Sequence, residues 1–192
     1  GDYMSQLKIK EKKNHFAFLG NFITILILVV AIGVCAYAGG NLYKIFSEYK
    51  AGTDEYAKIS DMVVTEKKAD VKDETWVDKE TKKKVWTAPI EVDCKKLAQI
   101  NPDFVGWLYV EALPDISYPM VHYKDNDFYL HRTFEKQDKF AGTIFTDCQN
   151  KRNLGDSNTI IYGHNMKNGS MFGQLKQFKQ PETIQKSKYI WI

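Results

Sequence analysis

Val105-Gly106-Trp107-Leu108-Tyr109-Val110 and Ser117-Tyr118-Pro119-Met120-Val121-His122-Tyr123 decide the fold class. Both are short runs rich in β-branched and aromatic residues. Two more runs of the same kind follow, Gly142-Thr143-Ile144-Phe145-Thr146 and Thr159-Ile160-Ile161-Tyr162. The connections carry punctuation such as Lys124-Asp125-Asn126-Asp127 and Asn150-Lys151-Arg152-Asn153-Leu154-Gly155-Asp156. Several short strands with such breaks predict a mostly antiparallel sheet or barrel. Lys188-Tyr189-Ile190-Trp191-Ile192 reads as the start of another strand.

Working upstream, Cys94 to Ile100 reads as a short helix with Asp93 as N-cap and Asn101-Pro102 as its stop. Residues 66–84 mix Lys, Asp and Glu densely and read as a solvated linker or an exposed helix-turn segment. Before them, Leu42, Ile45, Phe46, Tyr49, Ile59, Met62 and Val63 recur at three- and four-residue steps. With the polar break Ala51-Gly52-Thr53-Asp54 between them, they predict two amphipathic helical pieces.

No charged residue occurs from Phe16 to Tyr43, and Lys8, Lys10, Lys12 and Lys13 crowd just before that stretch. A bilayer core needs about 20 apolar residues, so this segment is long enough to cross. Basic residues on its N-terminal side place the N-terminus in the cytoplasm and the rest outside. A cleaved signal peptide is the rival, because Ala36-Tyr37-Ala38 fits a cleavage pattern. Its apolar run would exceed the usual 7 to 15 residues or so, which favours the retained anchor. The expected organisation is therefore a cytoplasmic basic tail at 1–15, a transmembrane anchor at 16–40, an extracellular helical and charged linker at 41–88, and a β domain at 89–192.

With 192 residues, 44% hydrophobic and 27% charged, the chain is in the globular range. A net charge of +3, with both signs interspersed, argues against a nucleic-acid partner. The three cysteines, Cys35, Cys94 and Cys148, show no CxxC spacing. A pairing of Cys94 with Cys148 stays open, and Cys35 reads as a small apolar residue of the anchor.

His164 is the leading catalytic candidate. It follows an apolar β-run and opens the loop Gly163-His164-Asn165-Met166-Lys167-Asn168-Gly169-Ser170, so one titratable side chain is delivered to the end of a strand. Met171, Phe172 and Leu175, three to four apart, read as the buried face of a short helix. His122, His131 and His164 with Asp147 or Cys148 are the remaining ligand types. They lack the close spacing that a zinc site shows in sequence, and no metal or cofactor is expected.

Five blocks, taken together, resemble the class B sortases. They are Ile100-Asn101-Pro102-Asp103-Phe104-Val105-Gly106-Trp107-Leu108, Tyr118-Pro119-Met120-Val121, Asp125-Asn126-Asp127-Phe128-Tyr129-Leu130-His131, Gly142-Thr143-Ile144-Phe145 with Asp147, and Thr159 through Leu175. The resemblance covers roughly residues 90 to 192 and implies a membrane anchor and helical extension followed by a partial sortase-type β-barrel. It also implies a cysteine transpeptidase on the outer face of a Gram-positive membrane. Such an enzyme cleaves a C-terminal sorting motif in secreted proteins, holds the acyl group as a thioester, and passes it to a peptidoglycan cross-bridge amine. His164 matches the family histidine. In the family, the nucleophilic cysteine and an arginine come well downstream of this histidine, and neither a cysteine nor an arginine follows His164 here. By resemblance the 192 residues hold about the first two-thirds of the barrel. They are expected to be inactive alone. The alternative is an inactive membrane-anchored remnant that binds sorting peptides or cell-wall partners. Cys148, Arg132 and Arg152 all precede His164 and match neither missing block.

Overall fold

A computed structural model describes residues 2–67, 76–77, 84–85 and 87–192, with side chains for 18–67 and 87–192. It divides into two compact units, one running through Ser47 and the other Glu48–Ile192. The boundary thus assigns the last part of the expected linker's helix to the β domain.

Helix α1 is Asp2–Val63. In its first unit the side chains from Phe18 to Phe46 are exposed, including Phe22, Ile25, Leu28, Val29 and Ile32. The helix is long and apolar enough to cross a membrane. In the second unit the helix buries one seam, with Gly52, Tyr56, Ile59 and Val63 packed inward at steps of three and four. Each fully buried apolar side chain of this size contributes about 1.5–3 kcal/mol.

The expected break at Ala51-Gly52-Thr53-Asp54 is corrected, because the helix runs through it. Thr53 folds its hydroxyl back onto the carbonyls of Lys50, 2.8 Å away, and Tyr49. Gly52 is there for space. A Cβ on it would lie 2.9 Å from the Cβ of Ala141, so the bare backbone lets the helix approach that residue.

Strand β1 (Val64–Glu66) continues directly from α1. Beyond it come β2 (Trp76–Val77) and β3 (Lys84–Val85), paired antiparallel, and β4 (Ile90–Val92), which pairs antiparallel with β1. Most of the expected solvated linker lies outside the described residues. Helix α2 (Cys94–Ile100) follows, and Asp93 caps it by accepting from the Lys96 amide at 3.0 Å. That is the cap read from sequence.

The main sheet contains β5 (Phe104–Val110), β6 (Ser117–His122), β7 (Ile144–Thr146), β8 (Ile161–Tyr162) and β9 (Ile190–Trp191), in the order β8-β7-β6-β5-β9. All pairings are antiparallel except β6 with β7. A parallel pair needs a crossover, and residues 123–143 make it. Helix α3 (Pro181–Lys186) leads into β9, the strand read at the chain's last residues. Ile116, Met120, Val121, Ile144 and Phe134 are fully buried, and Tyr56 ties α1 to the sheet by donating its hydroxyl to the Gly142 carbonyl at 2.6 Å.

Candidate active site

Strand β8 ends at Tyr162, opposite Phe145 in β7, so Gly163 follows over Ile144. A Cβ on Gly163 would lie 2.5 Å from the Cδ1 of Ile144 and 2.8 Å from Phe172, and only glycine fits between them. The loop from His164 to Phe172 closes on itself. Phe172 donates its amide to the His164 carbonyl at 2.9 Å, and Asn165 bridges Met171. Met171 adopts a left-handed conformation (φ 52°), is buried, and donates its amide to the Tyr118 hydroxyl at 3.0 Å. Met171, Phe172 and Leu175 therefore do not share the helix face expected of them. The first two close the loop, and only Leu175 enters a 3-10 helix, Leu175–Lys179.

The half-buried His164 ring is held from two directions. Its Nε2 lies 2.7 Å from the Leu130 carbonyl oxygen. A carbonyl can only accept, so Nε2 carries the proton and Nδ1 is the nitrogen left to exchange one in the neutral ring. The rings of Phe140 and His131 lie nearly parallel to His164, with centroids 5.3 and 5.6 Å away. The accepting carbonyl is itself fixed. Gly142 (φ +58°) passes so close that a Cβ there would meet the Leu130 oxygen at 2.4 Å, and Thr143 donates its amide to the Tyr129 carbonyl at 3.0 Å.

A second polar cluster occupies the other end of β7. His122, paired in register with Thr146, places Nδ1 3.0 Å from the Thr146 hydroxyl. The Asp147 carboxylate accepts from the Gln149 amide, the Tyr162 hydroxyl at 2.8 Å and the Asn126 side-chain amide at 3.0 Å. The Gln149 amide, then the Tyr162 hydroxyl, hold its pKa below the usual carboxylate value. Cys148 sits here too, its amide bonded to the Asn126 side-chain oxygen.

The strand register therefore separates the ligand types that the sequence grouped together. His164 follows β8 near the start of β7, whereas His122, Asp147 and Cys148 lie at its end, about three residues or 10 Å farther along. Among the described residues no three His, Cys, Asp or Glu side chains come close enough to hold a metal. Cys94 and Cys148 are both free thiols. Arg132 lies over the Phe128 ring, 4.6 Å from its centroid, and Arg152 donates to the Phe104 and Pro102 carbonyls, so each is engaged by the chain's own loops. The sequence signalled His164 correctly as the end of a strand. It gave no sign of the Leu130 acceptor, which is backbone, or of Phe140, which is an isolated aromatic in a polar turn.

Comparison with known proteins supplies the lineage. A sortase B of Listeria monocytogenes is 34% identical over 168 residues, covering 84% of this chain and 58% of that protein. A sortase B of Staphylococcus aureus is 33% identical over 96 residues, 50% of this chain and 39% of that protein. The crystal structure of sortase B from Bacillus anthracis in complex with AAEK1 superposes with a TM-score of 0.57 at 31% identity, covering 76% of this chain and 61% of that one. Over most of its length the chain is similar to class B sortases. No family model matches it. The chain spans between about two-fifths and three-fifths of the length of the curated relatives it matches. Its sheet and helices correspond to a curled half-barrel of the sortase B fold.

Proposed function

We propose that this chain carries the anchor and the histidine-bearing half of a membrane-bound cysteine transpeptidase that cleaves a C-terminal sorting motif and joins the acyl group to a peptidoglycan amine. The observation that supports this most is the geometry of His164. A ring whose Nε2–H is committed to a fixed carbonyl presents a single nitrogen, Nδ1, for proton transfer. In the acylation step a cysteine thiolate attacks the scissile carbonyl carbon. The C–N bond breaks, and His164 as imidazolium gives its Nδ1 proton to the departing amine. In the second step the neutral ring takes a proton from the incoming amine as that nitrogen displaces the thiolate.

Cys148 does not serve as the thiolate, because it stands at the far end of β7 from His164 beside an acidic group, Asp147. A catalytic thiolate needs a neighbouring cation or helix N-terminus. Neither the nucleophilic cysteine nor the oxyanion-stabilising arginine of the family is matched among these residues, and the 192 residues alone are expected to show no turnover. Helix α1 is proposed to cross the membrane at 16–40, with the lysine-rich tail inside and the β domain outside.

The test uses a fluorogenic sorting peptide. The 192-residue protein should leave it uncut, while a longer product of the same reading frame bearing the cysteine and arginine blocks should cut it. That activity should vanish in His164→Ala and survive in Cys148→Ala. Cleavage by the 192 residues that Cys148→Ala abolishes would overturn the assignment.

A further inference from the structure

Phe140 is the unusual feature of the site. It is a large apolar side chain, 49% exposed, in a turn where a polar residue would be more soluble, and the barrel core does not need it. Its contacts are specific. Its ring lies nearly parallel to His164 (5.3 Å, 24°) and to His131 (6.0 Å, 24°), and Tyr49 of α1 meets it edge-on at 6.4 Å, 86°. His131 completes the set by facing His164 at 5.6 Å, 26°. The hydrogen bond to the Leu130 carbonyl fixes one point on the imidazole but leaves the ring free to swing about χ2. A flat ring against its face removes that freedom.

We propose that Phe140, backed by Tyr49, is a positioning residue that holds the His164 ring in the plane where Nε2 meets the Leu130 carbonyl and Nδ1 faces the reaction. This rests on the reading of His164 as the proton-transfer group, but its test does not. The 15N-labelled 192-residue protein in detergent micelles reports the His164 tautomer and ring contacts without turnover. In the unsubstituted protein, Nε2 should carry the proton, and the His164 ring protons should be shifted upfield and show Overhauser contacts to Phe140. Phe140→Leu keeps an apolar side chain and removes the ring. The ratio of Nε2–H to Nδ1–H tautomer should fall about threefold to tenfold, the range that one aromatic pair controls, and the upfield shift should disappear. Phe140→Tyr should restore both, and Tyr49→Leu should produce a smaller change in the same direction. Amide spectra otherwise unchanged would show that the fold is kept. A tautomer ratio unmoved in folded Phe140→Leu, or a shift equally large in Phe140→Tyr, overturns the proposal. Absence of the His164–Phe140 contacts in the unsubstituted protein overturns it as well, whatever the variants do. Loss of peptide cleavage in an extended enzyme would bear on the catalytic reading of His164 and leave this measurement standing.

Discussion

His122 and His164 stand at opposite ends of β7, and the difference between their partners matters more than the residue type they share. His122 faces a threonine hydroxyl, which donates as readily as it accepts, so either tautomer satisfies the pair. His164 faces a carbonyl, which accepts only, and glycine backbone packs that carbonyl into place. The first is a histidine completing a polar cluster. The second has its proton placed by the fold, and that placement is what acid–base chemistry requires of a side chain.

The largest effect should come from removing the two imidazoles in a protein that carries the missing nucleophile. His164→Ala should lower peptide cleavage about 10²- to 10⁴-fold, the usual contribution of a positioned acid–base group, and His122→Ala should change it by less than about threefold. Steady-state kinetics on the two variants checks this, and equal losses would erase the distinction.

Next comes the support of the acceptor. Gly142→Ala forces a Cβ onto the Leu130 and Tyr129 carbonyl oxygens in a left-handed conformation, and should cost about 1–3 kcal/mol in denaturant unfolding. It should also move the His164 proton signal while leaving His122 as it was. At the other end, Thr146→Val removes the buried hydroxyl opposite His122. It should cost about 1 kcal/mol and redistribute the tautomers of His122 alone.

The smallest effect is the pH dependence of the His122 end. The folded pKa of Asp147 lies below its unfolded value, so its contribution to stability is present above about pH 4 and is lost as pH falls through the folded value. Tyr162→Phe takes away one of the hydrogen bonds that lower it. The variant should be slightly less stable than the parent at pH 7, and the two should converge once the pH has fallen below the folded value of Asp147. Unfolding midpoints measured across that range would show it, and a difference that persists at low pH would assign the effect to packing.

Much of this architecture was written in local sequence. Asp93 as a cap, the runs that became β5 and β6, and Ile161-Tyr162 leading to His164 each depend on near neighbours, which a linear reading can see. Gly52 was not legible, because a glycine that breaks a helix and one that lets a helix approach Ala141 look alike until the partner is known. The same holds for Gly142. Read as the first residue of a strand, it is instead a left-handed turn residue pressed against a carbonyl, and β7 starts two residues later. Backbone acceptors such as Leu130 carry no side-chain signature at all. Register is equally invisible in the sequence, since one strand of three residues was enough to carry His122 and His164 to different ends.

The crossover between β6 and β7 has a kinetic consequence. It contributes Asn126, Leu130, His131 and Phe140, so both clusters draw on one segment, and its bond to His164 spans 34 residues. The bond from Tyr56 to Gly142 spans 86. Closing loops of this size costs entropy before any contact repays it, and folding slows accordingly. The His164 clamp should therefore form later than the β5–β6 hairpin, whose partners lie close in sequence. A chain emerging one residue at a time cannot complete the clamp until Phe172 has appeared to close the loop.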